Sequence, residues 1–303
     1  MNILVTGGAG FIASHIVDAY IKKGHKVSVV DNLATGFRKN VNKNATFYKA
    51  DIRDLETLRK IFKKEQPQII NHHAAIAEVA KSLRDPIPTL EVNVLGTTNL
   101  LLLGGEYTIK KFIFSSTGGA MYGDPEKLPA SETTEPKPLS PYGLSKLLAE
   151  EAICYYSSNN NFRHLIFRYA NVYGPRQNPK GEAGVIAIFG SLMKKGKTPT
   201  IFGDGTKTRD YVYVDDIVRA NVLALTKGNN MTINLGWGKE IQDKEIFDII
   251  AKTTKFKKNP NLAPRRDGEL SRSSLDVKKA NKTIGWKPTI KLQNGIAKTI
   301  ASL

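Results

Sequence analysis

Tyr142 and Lys146 stand four residues apart in Pro141-Tyr142-Gly143-Leu144-Ser145-Lys146. This segment reads as the opening of a helix, which puts the two side chains on one face. An ammonium beside a phenol favours the phenolate and lowers its pKa from about 10. Bringing it near 7 takes about 4 kcal/mol, within reach of a lysine acting with a second positive charge. The expected product is a general base that removes a hydroxyl proton while hydride leaves the same carbon. The spacing occurs twice, and Tyr107 and Lys111 form the second copy. That copy straddles the entry to a strand, where no helix aligns the side chains, so Tyr142 and Lys146 are the expected catalytic pair. A strand ending in Ser115-Ser116-Thr117 precedes them, and the Thr117 hydroxyl can complete the constellation.

A hydride needs an acceptor, and the N-terminus offers a place for one. Thr6-Gly7-Gly8-Ala9-Gly10-Phe11-Ile12-Ala13 follows the first apolar run. Read from Gly8 it satisfies the glycine pattern of a dinucleotide-binding turn, with Ala13 as the third small residue. Such a turn lets backbone approach a pyrophosphate at a helix N-terminus, where free N–H groups favour anions. Gly7, Gly10, Phe11 and Ile12 are the expected contacts. Asp31 ends the second strand at the spacing where a carboxylate accepts the adenosine ribose hydroxyls and repels a 2′-phosphate. NAD rather than NADP is therefore expected, although Arg38 and Lys39 follow closely; a mere turn before Asn32 is the other reading of Asp31. Asp51 and Ile52, after the third strand, can reach adenine in the same arrangement, or Asp51 simply leads a helix. A positive nicotinamide ring would supply the second charge that the phenol needs.

Those residues need a scaffold, and the first half of the chain supplies one. Short β-branched runs at Ile3–Val5, Val27–Val30, Thr46–Tyr48, Ile69–Ile70, Lys111–Phe114 and His164–Phe167 alternate with amphipathic stretches. The runs lack clean alternation, as strands covered on both faces do. Helices are expected from Phe11 to Lys23, from an Asp54 cap to before Pro67, and from Pro88 to Gly104. This rhythm implies an α/β fold, a doubly wound parallel (Rossmann) sheet. Beyond Asn171 it breaks into a helix near Val185–Lys195 and short strands at Thr200–Phe202 and Tyr211–Tyr213. Asp215 or Asp216 is expected to cap a further helix, and Thr232–Leu235 to return to the large sheet. The division is residues 1–171 with 214–236 for the dinucleotide domain, and 172–213 with 237–303 for a smaller α/β substrate domain.

Composition narrows the class. The 303 residues are 41% hydrophobic, ample for a core, and carry 45 Lys and Arg against 28 Asp and Glu, a net +17. No basic block marks a nucleic-acid tail, so the charge is read as a solvated surface suited to an anionic substrate, with no nucleic-acid partner. No run is long and apolar enough for a membrane span. The single cysteine, Cys154, suits a reducing cytoplasm. His72 and His73 are adjacent on a strand and point to opposite faces, poor geometry for a shared metal, so none is expected.

With these residues assembled, the chain resembles the extended short-chain dehydrogenase/reductases, and within them most closely the UDP-glucose 4-epimerases. The anchors are the glycine turn, Asp31-Asn32, His72-His73-Ala74-Ala75, Asn93-Val94-Leu95-Gly96-Thr97 and Ser115 through Gly123. They continue with Ser140 through Lys146, Arg168 through Arg176 and Arg209 through Asp216. The resemblance implies Tyr142 as base, Lys146 as electrostatic and ribose-binding lysine, and Thr117 in place of the commoner serine. It implies cofactor contacts at Asn32, Ala75 and Asn93. A UDP-hexose would be held by Thr117, Tyr142 and Asn171, with Arg209 and Arg266 on its diphosphate and Glu269 near its uridine ribose. Ser273 would set the sugar size, and its small side chain implies that UDP-N-acetylhexosamines are accepted too. Homodimerisation through the helices near 88–104 and 142–158 is a further implication. Dehydratases and UDP-glucuronate decarboxylases of this group place an acid after the catalytic hydroxyl, whereas Gly118-Gly119 stand here. Those reactions, and a non-catalytic NAD-binding regulator, are the alternatives to epimerisation.

Overall fold

A computed structural model describes residues 1–179, 184–265 and 270–303. The first half runs β1 (Asn2–Thr6), α1 (Phe11–Lys22), β2 (Lys26–Asp31), β3 (Thr46–Lys49), α2 (Leu55–Glu65) and β4 (Ile69–His72). It continues α3 (Val79–Arg84), α4 (Ile87–Leu90), α5 (Gly96–Glu106), β5 (Lys111–Thr117), α6 (Pro141–Asn159) and β6 (Arg163–Tyr169). β1 pairs in parallel with β2 and with β4, so that Val5 lies opposite Val29 on one side and Asn71 on the other. Successive residues feed different cores. Ile3, Val5, Val27 and Val29 pack with Ile16, Val17 and Tyr20 of α1, while Leu4, Val30 and Ile70 pack with Leu58 and Phe62 of α2 and Leu100 and Leu101 of α5. Each such aliphatic side chain contributes about 1.5–3 kcal/mol by leaving water, which is why continuous apolar runs specify covered strands.

The second half is built of shorter pieces. β7 (Asn171–Tyr173), α7 (Val185–Lys194), β8 (Thr200–Phe202), β9 (Thr208–Arg209), β10 (Tyr211–Tyr213), α8 (Val214–Ala224) and β11 (Met231–Leu235) are followed by β12 (Ile241–Gln242), α9 (Asp243–Thr254), β13 (Asn261–Ala263), α10 (Lys278–Ile284) and α11 (Leu292–Ser302). β11 joins the large sheet, whose order is β11-β6-β5-β4-β1-β2-β3, and α8 packs beside α1. The remaining strands form three two-stranded pairs, β10-β7, β12-β9 and β13-β8. Tyr173, Ile186, Phe189, Ile246, Phe247, Ile250 and Ile296 make the smaller core. Leu275, Ala280, Ile284 and Trp286 pack into the core of the large sheet, although the sequence places 237–303 with the smaller domain.

Two local readings are corrected by tertiary contacts. α8 has Tyr213 at its N-cap and no side-chain cap. Asp216, fully buried, instead accepts bonds from the N–H groups of Thr289 and Ile290 and the hydroxyl of Thr289, and pairs with Arg219. A carboxylate able to accept four hydrogens inside the fold is worth more there than at an exposed cap. The stretch expected as one helix from Pro88 to Gly104 contains a π-helical turn, Glu91–Leu95, between α4 and α5. Such bulges re-aim one residue, and here that residue is the buried Asn93. Sheet order reverses direction at β1, so the crevice beyond the carboxyl ends of β1 and β4 is where this architecture places a ligand.

Candidate active site

The glycine turn sits at the mouth of that crevice and has the shape a diphosphate requires. Gly7 has φ of +70°, and a Cβ there would lie 2.7 Å from the Ala74 nitrogen. A Cβ on Gly8 would lie 2.7 Å from a Val29 methyl. The Gly7 N–H donates to Val30 O at 2.8 Å and the Gly10 N–H to Gly7 O at 2.9 Å, which closes the turn. α1 starts from Gly10 without a side-chain cap, so its first-turn N–H groups, those of Phe11 and Ile12 included, are directed at the crevice. This cradle fits a dinucleotide diphosphate.

Asp31 is both a turn residue and a candidate ribose acceptor. Its carboxylate accepts the Ala9 N–H at 3.0 Å and the Leu33 N–H at 2.7 Å, one on each oxygen, leaving further lone pairs on both. Asn32 donates to Asp51 at 3.0 Å, and Asp51 is also forked by Arg53. The Arg53 bond holds the Asp51 carboxyl down at about 2. Ile52 is buried under Gly96, whose Cβ would strike it at 2.6 Å. Arg38 lies over the Phe47 ring at 4.6 Å and Lys39 over the Phe37 ring at 5.6 Å. Asn93 clamps the chain after Ala75: its oxygen accepts the Ile76 N–H at 2.8 Å, and its nitrogen donates to Ile76 O and to the Ser145 hydroxyl, both at 2.9 Å.

At the carboxyl end of β5 the Thr117 hydroxyl stands near the Tyr142 phenol and favours its ionised form. Tyr142 is placed by helix initiation: Ser140 caps α6 by accepting the Gly143 N–H at 3.2 Å, with Pro141 in the first turn. Lys146 lies one turn further on. Its ammonium donates to Ser115 O at 2.8 Å and stands 4.6 Å from the Phe114 ring. The electrostatics differ from the expectation. Burial pushes Tyr142 up to about 12, with only the nearby Thr117 hydroxyl opposing it, and burial pulls Lys146 down to about 7 against the charge of Glu150. The lysine is engaged with a carbonyl rather than with the phenol, so the i, i+4 spacing alone does not acidify Tyr142.

Of the substrate-side residues, Asn171 comes to the same hydroxyls. A Cβ on Gly119 would lie 3.5 Å from the Asn171 oxygen and 4.0 Å from the Thr117 hydroxyl, which brings those two side chains together. A Cβ on Gly118 would strike a Leu275 methyl at 2.5 Å, so a glycine in place of an acid at 118 has a packing cause. Asp210, fully buried, accepts the N–H groups of Trp237, Gly238 and Leu275 at 2.7, 3.0 and 3.1 Å, and burial pushes it up to about 6. This fixes the chain bearing the buried Ser273 beside β9, to which the Thr208 N–H adds a bond to Ser271 O. Arg209, on β9, donates to Thr208 O at 2.7 Å. Arg266 and Glu269 lie outside the described residues.

Sequence reasoning missed a buried cluster directly behind the pair. Arg168 forks both oxygens of Glu150 at 2.6–3.1 Å, Glu150 takes a short bond from the Ser116 hydroxyl, and Arg168 donates to the Tyr122 hydroxyl at 3.0 Å. The available signal was a charged residue inside an apolar strand and an acid four residues after Lys146. His72 and His73 face opposite sides of the sheet: His72 contacts Thr6 and Thr97 at 2.6 and 2.8 Å, and His73 contacts the Tyr169 hydroxyl at 3.2 Å. Among the described residues no three His, Cys, Asp or Glu side chains group as metal ligands would.

Comparison with known proteins places this geometry in context. Residues 3–236 match the NAD dependent epimerase/dehydratase family. The chain is 47% identical over 298 residues to a putative UDP-glucose 4-epimerase of Methanocaldococcus jannaschii, covering 98% of this chain and 97% of that one. It is 46% identical to a UDP-glucose 4-epimerase of Thermotoga maritima solved with UDP-glucose, with a TM-score of 0.98 and coverage of 100% and 98%. A UDP-N-acetylglucosamine 4-epimerase of Methanobrevibacter ruminantium, solved with UDP-N-acetylmuramic acid, shares 34% identity at a TM-score of 0.93, with coverage of 99% and 97%.

Proposed function

The chain belongs to the NAD dependent epimerase/dehydratase family, and from that premise we propose that it interconverts UDP-glucose and UDP-galactose with NAD as cofactor. The observation that carries this reading is the Thr117–Tyr142 hydroxyl pair at the crevice, beside Asn171 and with glycines at 118 and 119. NAD, held by the glycine turn and Asp31, would supply reversible hydride transfer at C4 of the hexose. Tyr142 receives the C4 hydroxyl proton and gives it back, and Thr117 relays between that hydroxyl and the phenol. In its buried position Tyr142 remains protonated at neutral pH, so it becomes a base only when positive charge is brought near it. The Lys146 ammonium and the oxidised nicotinamide ring are the two sources, which couples proton removal to the oxidised cofactor.

Gly7, Gly10, Phe11 and Ile12 cradle the diphosphate of NAD, and Asp31 accepts its adenosine ribose. Asn32, Asp51 and Ile52 border the adenine, and Ala75 and Asn93 shape the wall toward the nicotinamide. Asn171 and Arg209 hold the sugar nucleotide, joined by Arg266 and Glu269. Ser273, small and buried, leaves space for an N-acetyl group, which supports UDP-N-acetylglucosamine as a second substrate. Residues 1–171 with 214–236 carry the cofactor, packed by Leu275 to Trp286, and 172–213 with the rest of 237–303 close the substrate side.

Leu95 and Leu102 of the α5 region and Leu144, Leu148 and Tyr155 of α6 are exposed. Neighbouring helices that present apolar side chains to water support an isologous homodimer across that face. The lone Cys154, free of any disulfide, supports a cytoplasmic setting.

Incubating the purified protein with UDP-galactose and separating the sugar nucleotides tests the reading. UDP-glucose of unchanged mass is the expected product; loss of 18 mass units would instead identify a dehydratase. With UDP-N-acetylglucosamine, formation of UDP-N-acetylgalactosamine is expected, and no turnover beside active UDP-glucose would remove the second substrate.

A further inference from the structure

Glu150 lies one helical turn beyond Lys146 on α6 and is buried, as is its partner Arg168 of β6. Its two oxygens take the Arg168 fork at 2.6–3.1 Å and the Ser116 hydroxyl. Ser116 is the residue before Thr117, so this carboxylate ties the end of β5 to the helix that carries Tyr142 and Lys146. Arg168 is tied in turn to the Tyr122 hydroxyl, and Tyr122 to Asn234 of β11 at 2.8 Å. The three charges run Lys146, Glu150, Arg168, alternating in sign. The bidentate guanidinium and the hydroxyl donor satisfy the lone pairs of this buried carboxylate.

Lys146 needs such a neighbour. Its ammonium is out of water, with one carbonyl, Ser115 O, as hydrogen-bond acceptor. The groups that face it are Tyr142 and Glu150 on α6, and His72 and His73 on β4, where burial favours the neutral ring in both histidines. Glu150 is the anion among them. Glu150 faces Arg168 from β6 and Cys154 from its own helix.

We propose that Glu150 is a positioning residue for the reaction, anchoring the strand end of Thr117 through Ser116 and preserving the positive charge of Lys146 through its own fixed negative one. The inference rests on the proposed function of this site and extends it to a residue that touches neither substrate nor cofactor. Its two parts are separable. Ser116→Ala removes the tether and leaves every charge in place. Glu150→Gln keeps the outline of the side chain and removes the charge.

The sign of the second effect follows from the lysine. An ammonium required for turnover supports activity below its pKa and fails as pH rises through it. Without the carboxylate that pKa falls, so the alkaline limb of kcat moves to lower pH, by about one unit at the low end for an opposite charge this close. The test follows Lys146 directly in NAD-loaded protein by 13Cε NMR titration, with the resonance assigned by its loss in Lys146→Met, alongside pH profiles of kcat for UDP-galactose. In wild type the resonance is expected to titrate near 7, where burial places the amine. Glu150→Gln is expected to move both the resonance and the kcat limb down by about one unit, with KM within about twofold. Ser116→Ala is expected to lower kcat about three- to tenfold with the limb unmoved.

An unmoved Lys146 resonance in folded Glu150→Gln protein overturns the charge role, and full activity in Ser116→Ala overturns the tether. Because the NMR titration needs no turnover, a wild type that fails to epimerise UDP-galactose counts against the proposed function while the charge role of Glu150 is still decided. If Glu150→Gln does not fold, Glu150→Asp, which keeps the charge, decides: a resonance near 7 with reduced kcat supports the proposal, and a resonance displaced like that of a charge-free site sinks it.

Discussion

The two Tyr-x-x-x-Lys segments share a spacing and meet opposite fates. Tyr142 and Lys146 ride the first turns of α6, and their polar ends come to the carboxyl edge of the sheet beside Thr117. Tyr107 is the C-cap residue of α5, and its hydroxyl reaches Arg59 O at 3.4 Å. Lys111, at the opposite edge, donates to the carbonyls of Lys227 and Gly228 at 2.7 and 2.5 Å, just beyond the C-terminus of α8. Both lysines are buried, and burial lowers both, to about 7 and about 8. What separates them is the neighbourhood at each end of the sheet: hydroxyls and a carboxylate at one, two loop carbonyls beyond a finished helix at the other. A sequence pattern names candidate chemistry, and the edge of the sheet it reaches decides whether that chemistry is catalytic or structural.

The largest expected contrast comes from the phenols. Tyr142→Phe should lower kcat for UDP-galactose by about 10²- to 10⁴-fold, the usual worth of a positioned acid–base, while Tyr107→Phe should leave kcat within about twofold. Equal effects in a coupled steady-state assay would erase the distinction. The lysines should divide differently. Lys146→Met is expected to reduce kcat about 10²-fold or more with little loss of folding stability, whereas Lys111→Met should keep kcat and lose about 1 kcal/mol in urea unfolding, because two loop carbonyls lose their donor.

A smaller effect sharpens the same comparison. Both lysines have folded pKa values below the unfolded value near 10.5, so the unfolded chain binds more protons between those limits. Stability should therefore rise with pH from about 8 to 10.5 through Lys111, and from about 7 to 10.5 through Lys146. Each Lys→Met variant should flatten its own part of that rise in denaturation curves taken across the range. A curve in which neither substitution changes the slope would show that both ammonium groups are better solvated than their burial implies.

Much of the site was legible before the fold was known. The glycine turn, Asp31 and the Tyr142–Lys146 spacing are local patterns whose meaning depends on a strand and a helix close by in sequence. Where a residue's partner is distant in the chain, legibility ended. Asp216 read as a helix cap and serves residues more than seventy positions away. Asn93 read only as a family cofactor contact, yet it clamps the chain after β4 to Ser145 of α6. Arg168 stood only within a family anchor and Glu150 drew no reading, because their pairing needs α6 to lie across β5 and β6.

Local order, then, was written in the chain: β-branched runs bury on both faces, small residues turn tightly, and helical spacing aligns a phenol with an amine, each requiring only neighbours a few residues apart. The balance of charge around that amine was settled by folding alone. Desolvation and the approach of Glu150 arise from surfaces that meet only when the sheet and its covering helices close, and electrostatic energy depends on those distances and on the water they exclude.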